Sequence, residues 1–134
     1  MKLPFTIDLS DKVVVVTGAG GIICSAQAIA AAKCGAKVAL LDLNKDNAQK
    51  YVDEIVAEGG IAKAYACNVL EKESIQAAHD EIVKDFGLCD ILVNGAGGNN
   101  PRATTDNEYH ELEGLEGMKT FFDLDQKGVE FVFN

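Results

Sequence analysis

The sequence predicts a Rossmann-like α/β domain with a doubly wound parallel sheet, and three observations lead to it. Lys12 to Asp42 reads KVVVVTGAGGIICSAQAIAAAKCGAKVALLD, setting an apolar run, a glycine cluster, a helical stretch, a second apolar run and an aspartate in line. Further helical stretches then alternate with short apolar runs, a rhythm that implies parallel strands joined by right-handed crossovers. The glycines fall at the first strand-to-helix turn, where a helix N-terminus favours a phosphate-bearing ligand.

Each element has a local reason. Val13 to Val16 is a continuous β-branched run, the pattern of a strand buried on both faces of a parallel sheet. Asp42 closes the second strand. Asn44 can cap a helix running to about Ala57, with Ala48, Tyr51, Val52, Ile55 and Val56 on one stripe and Gly59 and Gly60 ending it. Ile61 to Cys67 reads as a third strand. Glu71 to Phe86 is a helix with Ile75, Ala78, Ile82, Val83 and Phe86 at helical spacing, closed by Gly87. Asp90 to Asn94 (DILVN) reads as a fourth buried strand. Residues 98–117 form a long polar loop, of the kind that is functional or disordered. In 118–134 the apolar spacing favours a helix, although GVEFVF alone would pass for a strand.

The glycine turn is the candidate site. Gly18, Gly20 and Gly21 let the backbone turn tightly and approach a ligand without intervening side chains. Asp42 stands 24 positions after Gly18, where its carboxylate can accept hydrogen bonds from ribose hydroxyls and repel a 2′-phosphate, favouring NAD over NADP. Read as Gly-x-Gly-x-x-Gly the cluster is incomplete, because Ile23 stands at the third glycine.

Length and composition bound the alternatives. The 134 residues, 48% of them hydrophobic, suit one domain with its own core. A net charge of −9 argues against nucleic acid and anionic membrane surfaces, while backbone N–H groups can still hold a dinucleotide's phosphates. No apolar run approaches the roughly 20 residues of a membrane span, and MKLPFTIDLSDK lacks the apolar segment of a secretory signal. Cys24, Cys34, Cys67 and Cys89 are widely spaced and read as buried, reduced thiols. With only His79 and His110 beside them, no zinc site is expected. The expectation is a cytoplasmic protein.

Four landmarks together resemble the short-chain dehydrogenase/reductase family. Thr17-Gly18 follows the first strand, Asp42 the second, Asn68-Val69 the third, and Asn94-Gly95-Ala96-Gly97 the fourth. The resemblance covers nearly the whole chain. It implies cofactor contacts from Gly18, Gly20, Gly21, Ile22, Ile23, Asp42, Leu43, Asn68, Val69, Asn94, Gly95 and Ala96, with NAD as cofactor and a small molecule as substrate. Two departures stand out. Aligned on Thr17, the pattern's second and third glycines become Ile22 and Cys24, and Gly95 stands where the family usually has its second asparagine. TGAGGIICSA with NGAGGNNPRATT resembles the subgroup of D-mannonate and D-fructuronate oxidoreductases, which act on sugar acids.

The family's catalysis needs a tyrosine with a lysine four residues later. Here Ile55 follows Tyr51 at that spacing, Val69 follows Tyr65 and Glu113 follows Tyr109, so the pair is absent. No catalytic residue is therefore assigned, although Asn134 falls near the family's catalytic asparagine. The resemblance implies the N-terminal part of a dehydrogenase, inactive alone, with strands 3-2-1-4 of a longer sheet. The fourth strand then lies at an open edge and invites self-association. Two other classes share features: a nucleoside-cofactor methyltransferase, with a Gly-rich first turn and an acid after the second strand, and a non-catalytic nucleotide-binding module. Asn94-Gly-Ala-Gly favours the dehydrogenase.

Overall fold

In a computed structural model, residues 7–109 and 111–133 are described. The elements run β1 (Val13–Thr17), α1 (Ile22–Lys33), β2 (Lys37–Asp42), α2 (Lys45–Ala57), β3 (Ile61–Ala66), α3 (Lys72–Asp85), β4 (Ile91–Val93) and α4 (Gln126–Phe133). The sheet is parallel throughout, in the order β3-β2-β1-β4. The sequence is read as one domain over 1–134; its contacts group into two compact units, Met1–Ala96 and Gly97–Asn134.

In the first unit the apolar strand runs are explained by burial on both faces. Val14, Val16, Val38, Leu40 and Ala64 point to α1 and α2, where Ala28, Ala32, Ala48, Val52 and Ile55 meet them. Val13, Val15, Ala39, Leu41, Tyr65 and Cys67 point the other way, against Ala78 and Ile82 of α3. The crossovers from β1 to β2 and from β2 to β3 thus lie on one face and that from β3 back to β4 on the other, as right-handed connections require. Asn44 caps α2 by accepting from Asp46 N at 3.1 Å, and Gly59, at φ +86°, closes it.

Two polar clamps hold the sheet to its surroundings. Asp90 accepts from Val13 N at 2.9 Å and from Lys12 Nζ at 3.0 Å, tying the start of β4 to β1. The Val13 amide, and after it Lys12, hold the Asp90 carboxyl below its usual range. Tyr65 donates to Asp85 Oδ2 at 2.9 Å, and Lys63 reaches the same oxygen at 2.5 Å, joining β3 to the end of α3. Burial of the ring, then the Asp85 hydrogen bond, push the Tyr65 hydroxyl well above its ordinary pKa.

Two expectations are corrected. The DILVN strand is not buried: Ile91 and Leu92 are exposed, Leu92 by 55%. Leu92 pairs with Val15 and shares its face, but α3 covers that face only over β1, β2 and β3. β4 also terminates the sheet. Nor are the four thiols uniformly buried. All are unpaired, but only Cys67 is buried; Cys24 and Cys34 are half-buried and Cys89, in the turn before β4, is exposed.

The second unit has little regular structure. Pro101–Ala103 and Phe121–Asp123 are 3₁₀ turns, and no other helix or strand is described between Gly97 and α4. GVEFVF is helical. Gly128 packs so closely on the Arg102 backbone that a Cβ would come within 2.9 Å of it. The Arg102 guanidinium pairs with Asp125, whose carboxyl it holds below the usual range.

Candidate functional site: the carboxyl edge of the sheet

The predicted residues follow the carboxyl ends of the four strands, in the order Asn68, Asp42, Thr17-Gly18 and Asn94-Gly95 across β3, β2, β1 and β4. Between β1 and β4 the strand order reverses, and ligands of open α/β sheets bind at that switch point.

The glycine turn is built from backbone amides and one carboxylate. Gly18 has φ +68°, a left-handed conformation that favours glycine, and a Cβ there would sit 2.9 Å from Gly95 O and Ala96 Cα. Gly20 N donates to Asp42 Oδ2 at 2.9 Å, and Asn44 N donates to Asp42 Oδ1 at 2.9 Å. The carboxylate therefore binds the glycine turn and the entry of α2 together. A Cβ on Gly20 would lie 2.8 Å from both Asp42 Oδ2 and Asn47 Cβ, so the approach depends on glycine. Gly21 N donates to Gly18 O at 3.0 Å, and Gly21 is the N-cap of α1 with no side-chain hydrogen bond to the helix. The first amides of α1 are thus left uncapped by side chains, as an anion site at a helix N-terminus requires. Ile22 and Ile23, the first two residues of that helix, are exposed.

On the β4 side the organising group is Thr17. Its buried Oγ1 accepts from Gly95 N and from Ala96 N, both at 3.0 Å, and the hydroxyl donates to Val93 O at 3.4 Å. On the far side Cys67 N donates to Asp42 O at 2.9 Å, holding the end of β3 beside Asp42. The Asn68 side chain is engaged in its own turn: Oδ1 accepts from Leu70 N at 3.1 Å and Nδ2 donates to Glu71 Oε1 at 2.9 Å. Leu43 and Val69 are exposed, and Asn94 lies on the exposed segment after β4.

Contact therefore joins Gly20 to Asp42 and Gly18 to Gly95 and Ala96 at the two sides of the glycine turn, while Asn68 and Val69 stand further along the edge. The bracing by Thr17 and the meeting of Cys24 with Gly95 are not visible in any one motif. The signal for the second was present as two departures from one family pattern. Tyr65, whose hydroxyl is bonded to Asp85, serves the β3–α3 clamp. A hollow of about 180 Å³ in the second unit, lined by Thr105, Asn107, Tyr109, Met118, Lys119 and Phe121 among others, includes none of the predicted site residues. His110 and Asn134 lie outside the described residues. Among the described residues no cluster of three or more metal-ligating side chains occurs, and no helix is long and apolar enough to cross a membrane.

A parallel sheet in this order, with a glycine turn leading into an uncapped helix, is the architecture of Rossmann-type α/β proteins. More narrowly, the chain belongs to the short chain dehydrogenase family, whose model matches residues 12–132. It is 53% identical over 134 residues to an uncharacterized oxidoreductase of Haemophilus influenzae, covering all of this chain and 47% of that one. Among solved structures it is similar to a Haemophilus influenzae protein provisionally assigned as a D-mannonate oxidoreductase, with NAD bound. The TM-score is 0.90 at 55% identity, over 96% of this chain and 46% of that one. It is also similar to a metagenomic short-chain oxidoreductase in complex with NADP, with TM-score 0.65 at 36% identity, over 68% of this chain and 41% of the other. The chain spans about half the length of the curated relatives it matches.

Proposed function

We propose that this chain is the NAD-binding portion of a short-chain dehydrogenase that oxidises or reduces a sugar acid such as D-mannonate or D-fructuronate. The observation that carries the cofactor half is the Asp42 carboxylate held against Gly20 N at 2.9 Å, beside the uncapped N-terminus of α1. The helix amides and glycine turn suit a pyrophosphate. Asp42 offers its remaining lone pairs to the adenosine ribose and repels a 2′-phosphate, so NAD is the preferred dinucleotide over NADP. Gly18, Gly21, Ile22, Ile23 and Leu43 line the same end, Asn68 and Val69 flank the adenine side, and Asn94, Gly95 and Ala96 flank the nicotinamide side. The NAD-bound Haemophilus relative supports both the cofactor and the substrate class. Hydride transfer is the cofactor's chemistry; this chain's residues bind and orient it. Without a tyrosine–lysine pair they do not move the substrate proton.

Calorimetric titration tests this. NAD is expected to bind more tightly than NADP, S-adenosylmethionine not at all, and no NADH should form with D-mannonate at any protein concentration. Preferential binding of S-adenosylmethionine would instead favour a methyltransferase.

The same reading includes self-association through β4. The strand ends the sheet and exposes Leu92, so its edge offers unpaired backbone groups and an apolar face. Sedimentation should show concentration-dependent association that Leu92→Lys reduces; a monomer at every concentration would rule it out.

A further inference from the structure

The sequence departs from the family pattern at Cys24 and at Gly95, and the fold brings these two departures together. A Cβ built on Gly95 would lie 2.2 Å from Cys24 Sγ, far inside contact distance, and 3.0 Å from Thr17 O. The backbone at Gly95 is not the obstacle, because Gly95 is absent from the glycines with positive φ. Space alone demands glycine there, and the group that takes the space is the thiol. Cys24 is the third residue of α1, half-buried and packed against the core cluster between α1, α2 and the sheet.

We propose that Cys24 and Gly95 are a matched steric pair that positions the segment after β4 for the cofactor. The thiol fills the side-chain space of position 95. It thereby sets the level at which the Gly95–Ala96 backbone crosses the glycine turn. That level matters because Gly95 O and Ala96 Cα already stand where a Cβ of Gly18 would be 2.9 Å from each. Thr17 Oγ1 pins the same backbone through the Gly95 and Ala96 amides. Lifting residue 95 therefore strains both the turn and the Thr17 bonds. Asp42 lies on the other side of β1, at the end of β2. A dinucleotide with its adenosine ribose at Asp42 consequently directs its nicotinamide half toward Gly95. The positioning role rests on the nucleotide reading above; the steric pair does not.

A double-mutant cycle on this chain separates the two. Gly95→Ala in the Cys24 background should lower the melting midpoint by roughly 5–10 °C, the expected range for overpacking in a small domain. In a Cys24→Ala background the sulfur is gone and the nearest atom of residue 24 is its Cβ, 3.6 Å away, an ordinary contact. The same Gly95→Ala change should then cost less than half as much. Should Gly95→Ala alone fail to fold, a cooperative melt in the double variant supports the pair, and failure of both overturns it. Additive melting shifts also overturn it. Binding reads the positioning role. Gly95→Ala should weaken NAD by about tenfold and ADP, which lacks the nicotinamide half, by less than about twofold, with Cys24→Ala restoring the balance. Equal losses of NAD and ADP overturn the positioning role. A parent chain that binds neither nucleotide overturns the nucleotide reading, and the melting cycle still decides the pair.

Discussion

Asp42→Ala is expected to lower stability by about 2 kcal/mol and to weaken NAD by tenfold or more, because one carboxylate serves two tasks. The first is internal. Oδ2 accepts from Gly20 N and Oδ1 from Asn44 N, both at 2.9 Å, so the side chain ties the glycine turn to the entry of α2. Hydrogen bonds to a charged acceptor are worth about 1.5–3 kcal/mol each when buried; Asp42 is only half-buried, so water replaces part of each bond and the two together are expected to contribute about 2 kcal/mol. The second task is the proposed contact with the ribose, which alanine also removes. Asp42→Asn separates them. The amide keeps one acceptor oxygen, so about half of the lost stability should return, yet the repulsion of a 2′-phosphate is gone. NADP should therefore gain on NAD by a similar factor in both variants, while the midpoint shift of the asparagine variant should be about half that of the alanine variant, because its NH2 group faces one of the two backbone donors. A melting midpoint unchanged by Asp42→Ala would contradict the bracing role. An unchanged NAD-to-NADP ratio in both variants would remove the ribose assignment.

The dual use of Asp42 shows where sequence reasoning reaches and where it stops. The sheet was legible because burial on two faces leaves a signature within a few residues. Val13 to Val16 and the run into Asp42 are apolar at every position, since alternate residues meet α1 and α2 or α3. The bounds of α2 were legible because a cap and a terminal glycine are local chemistry: Asn44 bonds Asp46, and Gly59 takes a positive φ. Burial of β4 was misjudged because ILV records that a strand is apolar and not what covers it. Among the described residues nothing covers Leu92 as α3 covers Val15. GVEFVF was ambiguous for a related reason. It is helical in the structure, and the packing of its Gly128 on Arg102 is a contact that no local pattern encodes.

The candidate site divides the same way. The glycines and Asp42 could be placed by spacing, but the bonds that organise them join distant residues. Gly20 and Asp42 are 22 positions apart, and Thr17 and Gly95 are 78. Asn68 is the clearest case. The resemblance makes it a cofactor contact, whereas its side chain is engaged by Leu70 N and Glu71 in the turn that leads to α3. Any contact it makes with a nucleotide must come from the second N–H of Nδ2, from lone pairs left over on Oδ1, or from its backbone.

Thr17→Val should be the second large effect, and it isolates one oxygen atom. Valine keeps the shape and the β-branched preference for a strand, so Val13 to Val16 and the pairing of Thr17 with Leu41 should persist. What disappears is the acceptor shared by Gly95 N and Ala96 N, and with it the donor to Val93 O. Leaving a buried donor unmade costs about 1–3 kcal/mol. Residues 95 and 96 are exposed on their outer side, so water compensates in part, and a loss of about 2 kcal/mol is expected. The effect should be local in a way that a general loss of packing is not. Exchange of the Gly95 and Ala96 amides with solvent should accelerate by about tenfold or more relative to the core amides of β1 and β2. Thr17→Ser restores the oxygen and should restore the slow exchange. Because these two amides set the β4 side of the glycine turn, NAD affinity should fall in Thr17→Val and return in Thr17→Ser. Unchanged exchange at 95 and 96 in the valine variant would mean that the Cys24 contact holds the segment without the hydroxyl, and the Thr17 assignment would fall.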